Sequence, residues 1–248
     1  MLTYLIVCPL VFLAGFVDAI AGGGGLISLP AYMLAGIPAH NSIATNKLSS
    51  CMGATVASYH YYKKGFMKLK LCIPGILMAI LGSSIGSNIS LLISEKLLQT
   101  ALLVVLPLVG LYVLKGNALK DSSDQLEWNN KLYIQCGIIA LCVGIYDGLY
   151  GPGTGTFLMI LLTGVCHLDL NSAQGTTKAI NLTTNITALV VFLMSGKTLI
   201  VLGLVAGICN MIGNYIGSHL FVKKGSQFTK PVILLVLILF IVKIVTGN

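Results

Sequence analysis

The sequence contains no arginine, and its fifteen basic side chains are all lysines. Charge of either sign is scarce: only 9% of the 248 residues are charged, where an ordinary soluble domain carries about 25%. No Lys or Arg precedes Lys47, so the apolar start MLTYLIVCPLVFLAGF lacks the positive leader of a signal peptide and reads as a retained first helix. The seven cysteines form no CxxC, which argues against a disulfide framework and leaves them as small apolar packing residues. His40, His60, His167 and His219 are scattered without an HxxxH, so no metal centre is expected, and no cofactor either. No serine or cysteine has a plausible histidine partner, so nucleophilic catalysis is not indicated. SGKT at 195–198 ends like a phosphate-binding loop, but the motif needs Gly at 191 and finds Val191. An enzyme is therefore not expected.

What the chain does have is apolar length. Hydrophobic residues make up 56% and mean hydropathy is +0.93. Charge-free runs cover 1–17, 71–94, 97–114, 132–146, 179–196, 198–222 and 231–242; about 20 apolar residues cross a bilayer as a helix. The net charge of +8 comes from lysines lying between these runs, where they act as topology signals rather than a nucleic-acid patch. The expected fold is an all-α polytopic membrane protein in the lipid bilayer. Spans are predicted at 2–20, 44–62, 71–93, 97–114, 132–150, 175–195, 198–222 and 231–247. Two shorter pieces, 25–36 and 154–166, are too short to cross and read as broken or re-entrant half-helices.

The chain also repeats. Shifted by 129, GFVDAIAGGGG (15–25) falls on GIYDGLYGPGT (144–154), aligning Asp18 with Asp147, Gly22 with Gly151 and Gly24 with Gly153. Shifted by 131, TNK (45–47) falls on TTK (176–178), GSSIGS (82–87) on GNYIGS (213–218) and Gly65 on Gly196. This divides the chain into a first membrane repeat (1–114), a polar linker (115–131) and a second repeat (132–248). The turn at 63–70 holds four lysines and its counterpart near 196 holds one, whereas 223–230 is lysine-rich and its counterpart near 92–96 is poor. Lysine-rich and lysine-poor turns thus swap between halves, which predicts two inverted-topology repeats with 63–70, 115–131 and 223–230 in the cytoplasm. Helical spans place the protein in a cell (inner) membrane rather than among outer-membrane barrels. Gly82/Gly86, Gly203/Gly207 and Gly213/Gly217 have the spacing of close helix contacts.

Candidate site residues follow from the breaks. Gly22, Gly23, Gly24 and Gly25 disfavour helix, and a break within hydrocarbon is tolerated only where it is buried in protein or lines a wet cavity. The helix resuming at Leu26 would aim its positive N-terminal end at the break; Gly151 and Gly153 do the same in the second half. Two such ends meeting near the midplane would make an anion site. Lys47 with Asn46, and Lys178 with Thr177, would add an ammonium and hydrogen-bond donors, with Asn181 and Asn185 as weaker candidates one and two turns beyond Lys178. Asp18 and Asp147 are the acids flanked by long apolar sequence on both sides. A carboxylate there marks a pathway or proton relay, or else caps the broken helix or pairs with a lysine.

The run GFVDAIAGGGG…LP…AG…N…TNK, followed by a second D–G–GPGTG…TK block, resembles the sulfite exporter TauE/SafE family of membrane permeases over nearly the whole chain. The resemblance implies a permease of about eight spans moving small sulfur oxyanions such as sulfite, thiosulfate or sulfonates. It also implies functional roles for Asp18, Gly22–Gly25, Asn46 and Lys47 in the first block, and for Asp147, Gly151, Gly153, Thr177 and Lys178 in the second. The reading is a secondary transporter of such an anion, with proton coupling through Asp18 or Asp147. The alternatives are a passive anion channel and a cation transporter that uses the two aspartates as ligands. Oligomeric state, direction and the particular anion are open at this level.

Overall fold

A computed structural model describes residues 1–94, 96–97 and 129–225. The described residues form eight helices: α1 (Leu2–Ala21), α2 (Gly25–Leu34), α3 (Ala39–Lys63), α4 (Leu69–Leu92), α5 (Asn130–Leu149), α6 (Thr154–Gly164), α7 (Leu170–Met194) and α8 (Ile200–Lys224). The expected span 97–114 beyond residue 97, the expected span 231–247, and linker residues 115–128 lie outside the described residues. Asn129 and Asn130, assigned to the linker, instead cap and open α5: the Asn129 side chain accepts from the Leu132 amide at 2.9 Å.

Five helices, α1, α4, α5, α7 and α8, are long and apolar enough to cross a membrane. Among the described residues α2 and α6 have ten and eleven residues, or roughly 15 Å of rise, about half a hydrocarbon core. α3 is long but polar, and its side chains face inward: Thr45, Asn46, Lys47 and Ser49 are buried. α7 buries Gln174, Thr176, Thr177, Lys178, Asn181 and Asn185. The outer surfaces are the reverse. Ile73, Leu77, Leu81 and Ile85 on α4, and Val201, Leu204, Ile208 and Ile212 on α8, are exposed. A molecule with serine, asparagine and lysine inside and isoleucine outside is folded for lipid.

Packing follows the small residues. α1 runs along α8, and α4 along α5. A Cβ on Gly86 would stand 2.0 Å from the Ile145 carbonyl, and one on Gly148 would stand 2.3 Å from that of Ser83. On the other seam a Cβ on Gly213 would lie 2.1 Å from the Phe12 carbonyl, and one on Gly217 would lie 2.4 Å from that of Phe16. These glycines let backbones touch, the usual way membrane helices gain contact where lipid is as apolar as leucine. Gly203 and Gly207 receive Leu48 and Met52 from α3 instead. α3 and α7 pack on each other at the centre and put their polar faces between the two seams.

Candidate functional site

Both half-helices begin at a break, and the breaks touch. α1 ends in a left-handed Gly22 (φ +73°) whose amide donates to the Asp18 carbonyl at 2.9 Å. α5 ends at Leu149, and the left-handed Gly151 and Gly153 (φ +98° and +80°) turn the chain into α6. These are conformations that glycine adopts without steric cost. A Cβ on Gly22 would fall 2.2 Å from the carbonyl carbon of Gly155. Across this contact the Thr156 amide donates to the Gly22 carbonyl (3.2 Å) and the Thr156 hydroxyl to the Ala21 carbonyl (2.8 Å). The carbonyls that α1 leaves unpaired at its end are thus satisfied by the other half of the chain. The first turns of α2 and α6 bring their positive ends to the same place.

Four charges lie around this junction, paired across the halves. Lys47 on α3 puts its ammonium 2.8 Å from Asp147 Oδ2 on α5. Lys178 on α7 puts its ammonium 2.6 Å from Asp18 Oδ2 on α1 and also donates to the Asp18 carbonyl. The lysines are 2% and 0% exposed. Removing one member of such a pair leaves a buried charge uncompensated, at a cost of about 3–5 kcal/mol. The two pairs differ in quality. Asp147 Oδ2 receives no aligned hydrogen bond and feels Lys47 as a close charge, while its Oδ1 accepts from the Thr154 hydroxyl at 2.7 Å. The Lys178 ammonium is held at two oxygens of Asp18, at the C-terminal end of α1, where the helix dipole favours a cation.

The charges border a polar cavity. Its walls are Asp18, Gly22, Gly25, Asn46, Lys47, Ser50, Asp147, Gly151, Thr154, Gly155, Asn181 and Asn185. Space for the centre of a water molecule is about 20 Å³, little more than one water requires. Of the residues expected from sequence, Asp18, Gly22, Gly25, Asn46, Lys47, Asp147 and Gly151 meet here, together with the weaker candidates Asn181 and Asn185. Gly23, Gly24, Gly153, Thr177 and Lys178 do not line it. A Cβ on Gly24 would press on Asp18 Cβ (2.6 Å) and the Ala14 carbonyl (2.7 Å), so its role there is packing. Gly153 is the turn that starts α6. Thr177 is buried with an unpartnered hydroxyl, and Lys178 sits behind Asp18. Sequence reasoning missed Ser50, Thr154 and Gly155. Ser50 had a signal: it stands 131 residues before Asn181, the same shift that pairs Lys47 with Lys178. Among the described residues no group of three or more His, Cys, Asp or Glu side chains is placed to hold a metal.

The family of the sulfite exporter TauE/SafE matches residues 7–244. The chain belongs to the TauE/SafE family. It is 34% identical over 226 residues to the Escherichia coli K12 protein named "Probable membrane transporter protein YfcA", covering 90% of this chain and 82% of that one. A Sinorhizobium protein named "Probable membrane transporter protein ORF9" is 32% identical over 235 residues, covering 94% and 88%. A Haemophilus influenzae protein with the name "Probable membrane transporter protein" is 29% identical over 235 residues, covering 94% and 91%. No solved structure matches the chain. This TauE/SafE chain is a membrane transporter.

Proposed function

We propose that this TauE/SafE protein is an inner-membrane secondary transporter of a small sulfur-containing oxyanion of the sulfite, thiosulfate or sulfonate class. The observation that carries the reading is the junction of two broken helices. Two helix N-termini and the Lys47 ammonium converge on one polar cavity inside an apolar molecule, and backbone amides at helix starts bind oxyanions without arginine. Of the residues expected to bind substrate, Gly22, Gly25, Asn46, Lys47 and Gly151 line the cavity and form the binding set in this reading. Asp18 and Asp147 are the groups through which proton coupling would run.

The reading rests on two inverted repeats, 1–114 and 132–248. Its support is that the packing of one half recurs in the other. α1 against α8 is matched by α5 against α4, α3 against α8 by α7 against α4, and α1 against α2 by α5 against α6. The ion pairs are reciprocal in the same sense, Lys47–Asp147 and Lys178–Asp18. Such a relation about an axis in the membrane plane lets one half rock against the other around a fixed midplane site. The cavity has room for little more than one water, so a four- or five-atom anion enters only as the walls part.

Sulfite, thiosulfate, sulfate and a small sulfonate added to purified protein test the reading through thermal stabilisation. Wild type is expected to be stabilised by one or more sulfur oxyanions and Lys47→Ala not. No shift with any of them, with a cation-induced shift that survives Lys47→Ala, would assign the aspartates to a cation instead.

A further inference from the structure

We infer that the two ion pairs have different jobs: a singly charged anion binds Lys47 together with one proton on Asp147, while Lys178–Asp18 stays closed and fixes the end of α1. This rests on the anion-transport reading and narrows it, because it names the charge of the substrate and the carboxylate that takes the proton.

The division follows from where the ammonium groups lie. Of the two buried lysines, Lys47 lines the cavity and Lys178 does not. Lys178 meets Asp18 at both the carboxylate and the backbone carbonyl, so it completes the C-terminus of α1. The neighbouring Ala19 carbonyl is likewise filled from α3 and α7, accepting from the Tyr61 hydroxyl at 2.7 Å and from the Gln174 amide. An anion has no route to that ammonium without dismantling the helix end. The Lys47 ammonium stands 2.8 Å from Asp147 Oδ2 without an aligned hydrogen bond there, and the Gly151 turn packs its bare α-carbon against the pair: a Cβ there would stand 2.9 Å from Asp147 Oδ1 and 3.0 Å from the Lys47 ammonium.

Charge balance supplies the proton. With Lys47 and Lys178 cationic and Asp18 and Asp147 anionic, the junction is neutral. A bound monoanion would leave one uncompensated negative charge in a water-poor site, which is costly. If Lys47 turns its ammonium to the anion, Asp147 loses its counter-ion while 2% exposed. A proton taken up at Oδ2 converts it to a neutral carboxylic acid, with Oδ1 still accepting from Thr154, and restores zero net charge. A dianion would require a second proton, and Asp18 remains committed to Lys178.

Of the other groups facing Asp147, the carboxylate that could take the same proton is Asp18, and it is held by Lys178. α3 contributes Lys47 and Cys51, α1 contributes Asp18 across the cavity, and its own helix contributes Tyr146. α6 and α7 contribute the uncharged Thr154, Asn181 and Asn185. α4 meets α5 next to this point with Ser83 and Ser87 against Gly148.

The test uses methanesulfonate, a monoanion whose charge is constant from roughly pH 5 to 9, with sulfate as the dianion. Binding to the purified full chain in detergent is followed by thermal shift. Wild-type affinity for methanesulfonate is expected to fall about tenfold per unit rise in pH, the signature of one linked proton, with sulfate binding weaker. Asp147→Asn is expected to remove the slope and Asp18→Asn to keep it; the opposite assignment overturns the inference while leaving the anion reading intact. Stabilisation by no sulfur anion defeats the reading itself. Because either variant could fail to fold, the wild-type lysines are also modified with increasing acetic anhydride and read by mass spectrometry. Lys47 modified ahead of Lys178 supports the division, and Lys178 modified first or together with it overturns it.

Discussion

At the scale of the residue, the site is defined as much by missing atoms as by charged ones. Gly151 is held to glycine by two constraints at once. Its φ of +98° excludes an ordinary side chain, and the space its Cβ would take lies beside both Asp147 Oδ1 and the Lys47 ammonium. Gly151→Ala is therefore expected to destabilise the protein by about 1–3 kcal/mol from backbone strain and to abolish anion stabilisation by crowding the pair. Thermal unfolding in detergent with and without methanesulfonate separates these effects. Full anion response in a merely less stable variant would mean that Gly151 serves the turn alone. The sequence did single out Gly151, Lys47 and Asp147. It did not show that Lys47 belongs to Asp147, since the partners are one hundred residues apart and on opposite sides of the linker. The composition held a clue: two cations and two carboxylates placed in apolar surroundings must neutralise one another somewhere.

At the scale of the element, boundaries failed where polar residues turned out to be interior. α3 was expected from 44 and begins at Ala39; α7 was expected from 175 and begins at Leu170. In both cases the extra turn carries polar residues that a hydropathy reading assigns to a loop. Asp169 caps α7, its carboxylate accepting from the amides of Asn171 and Ser172 at 3.1 and 3.0 Å, a start signal that was present in the sequence. The half-helices and five of the apolar spans were legible because glycine runs and charge-free runs report directly on backbone freedom and lipid exposure. The span expected at 44–62, by contrast, forms α3, a helix too polar to be counted with the five. The same physics makes the α4–α5 seam fragile. Gly86→Ala places a methyl where the Ile145 carbonyl lies 2.0 Å away, so the helices must separate at a cost of about 1–3 kcal/mol. Gly164→Ala, with nothing within 4 Å of its added Cβ, is the matched control and is expected to be neutral. Equal melting temperatures for the two variants would place the seam elsewhere.

At the scale of the whole molecule, the first and second halves of the chain meet at the one candidate site described. Every ion pair at the junction takes its lysine from one half and its carboxylate from the other, and α6 satisfies the end of α1 through Thr156. Neither half can close the site alone, so a rocking motion of one half on the other necessarily changes it. Rocking about an axis in the membrane plane requires the halves to be inverted, a relation that the lysine asymmetry of equivalent turns suggests. The geometry offers a sharper expectation. α3 and α7 end in the same way, each with a left-handed glycine, Gly65 (φ +74°) and Gly196 (φ +69°), and the same pattern of closing hydrogen bonds: Phe66 amide to Tyr61 carbonyl at 3.1 Å, Lys197 amide to Phe192 carbonyl at 3.3 Å. If the repeats are inverted, these matching ends emerge on opposite faces of the bilayer. Single cysteines introduced at Lys64 and at Lys197, in a background without the native seven, are expected to react with a membrane-impermeant thiol reagent from opposite sides, the Lys64 position from the cytoplasm. Reaction of both from one side would make the halves parallel. Alternating access would then have to come from a motion about an axis along the membrane normal instead.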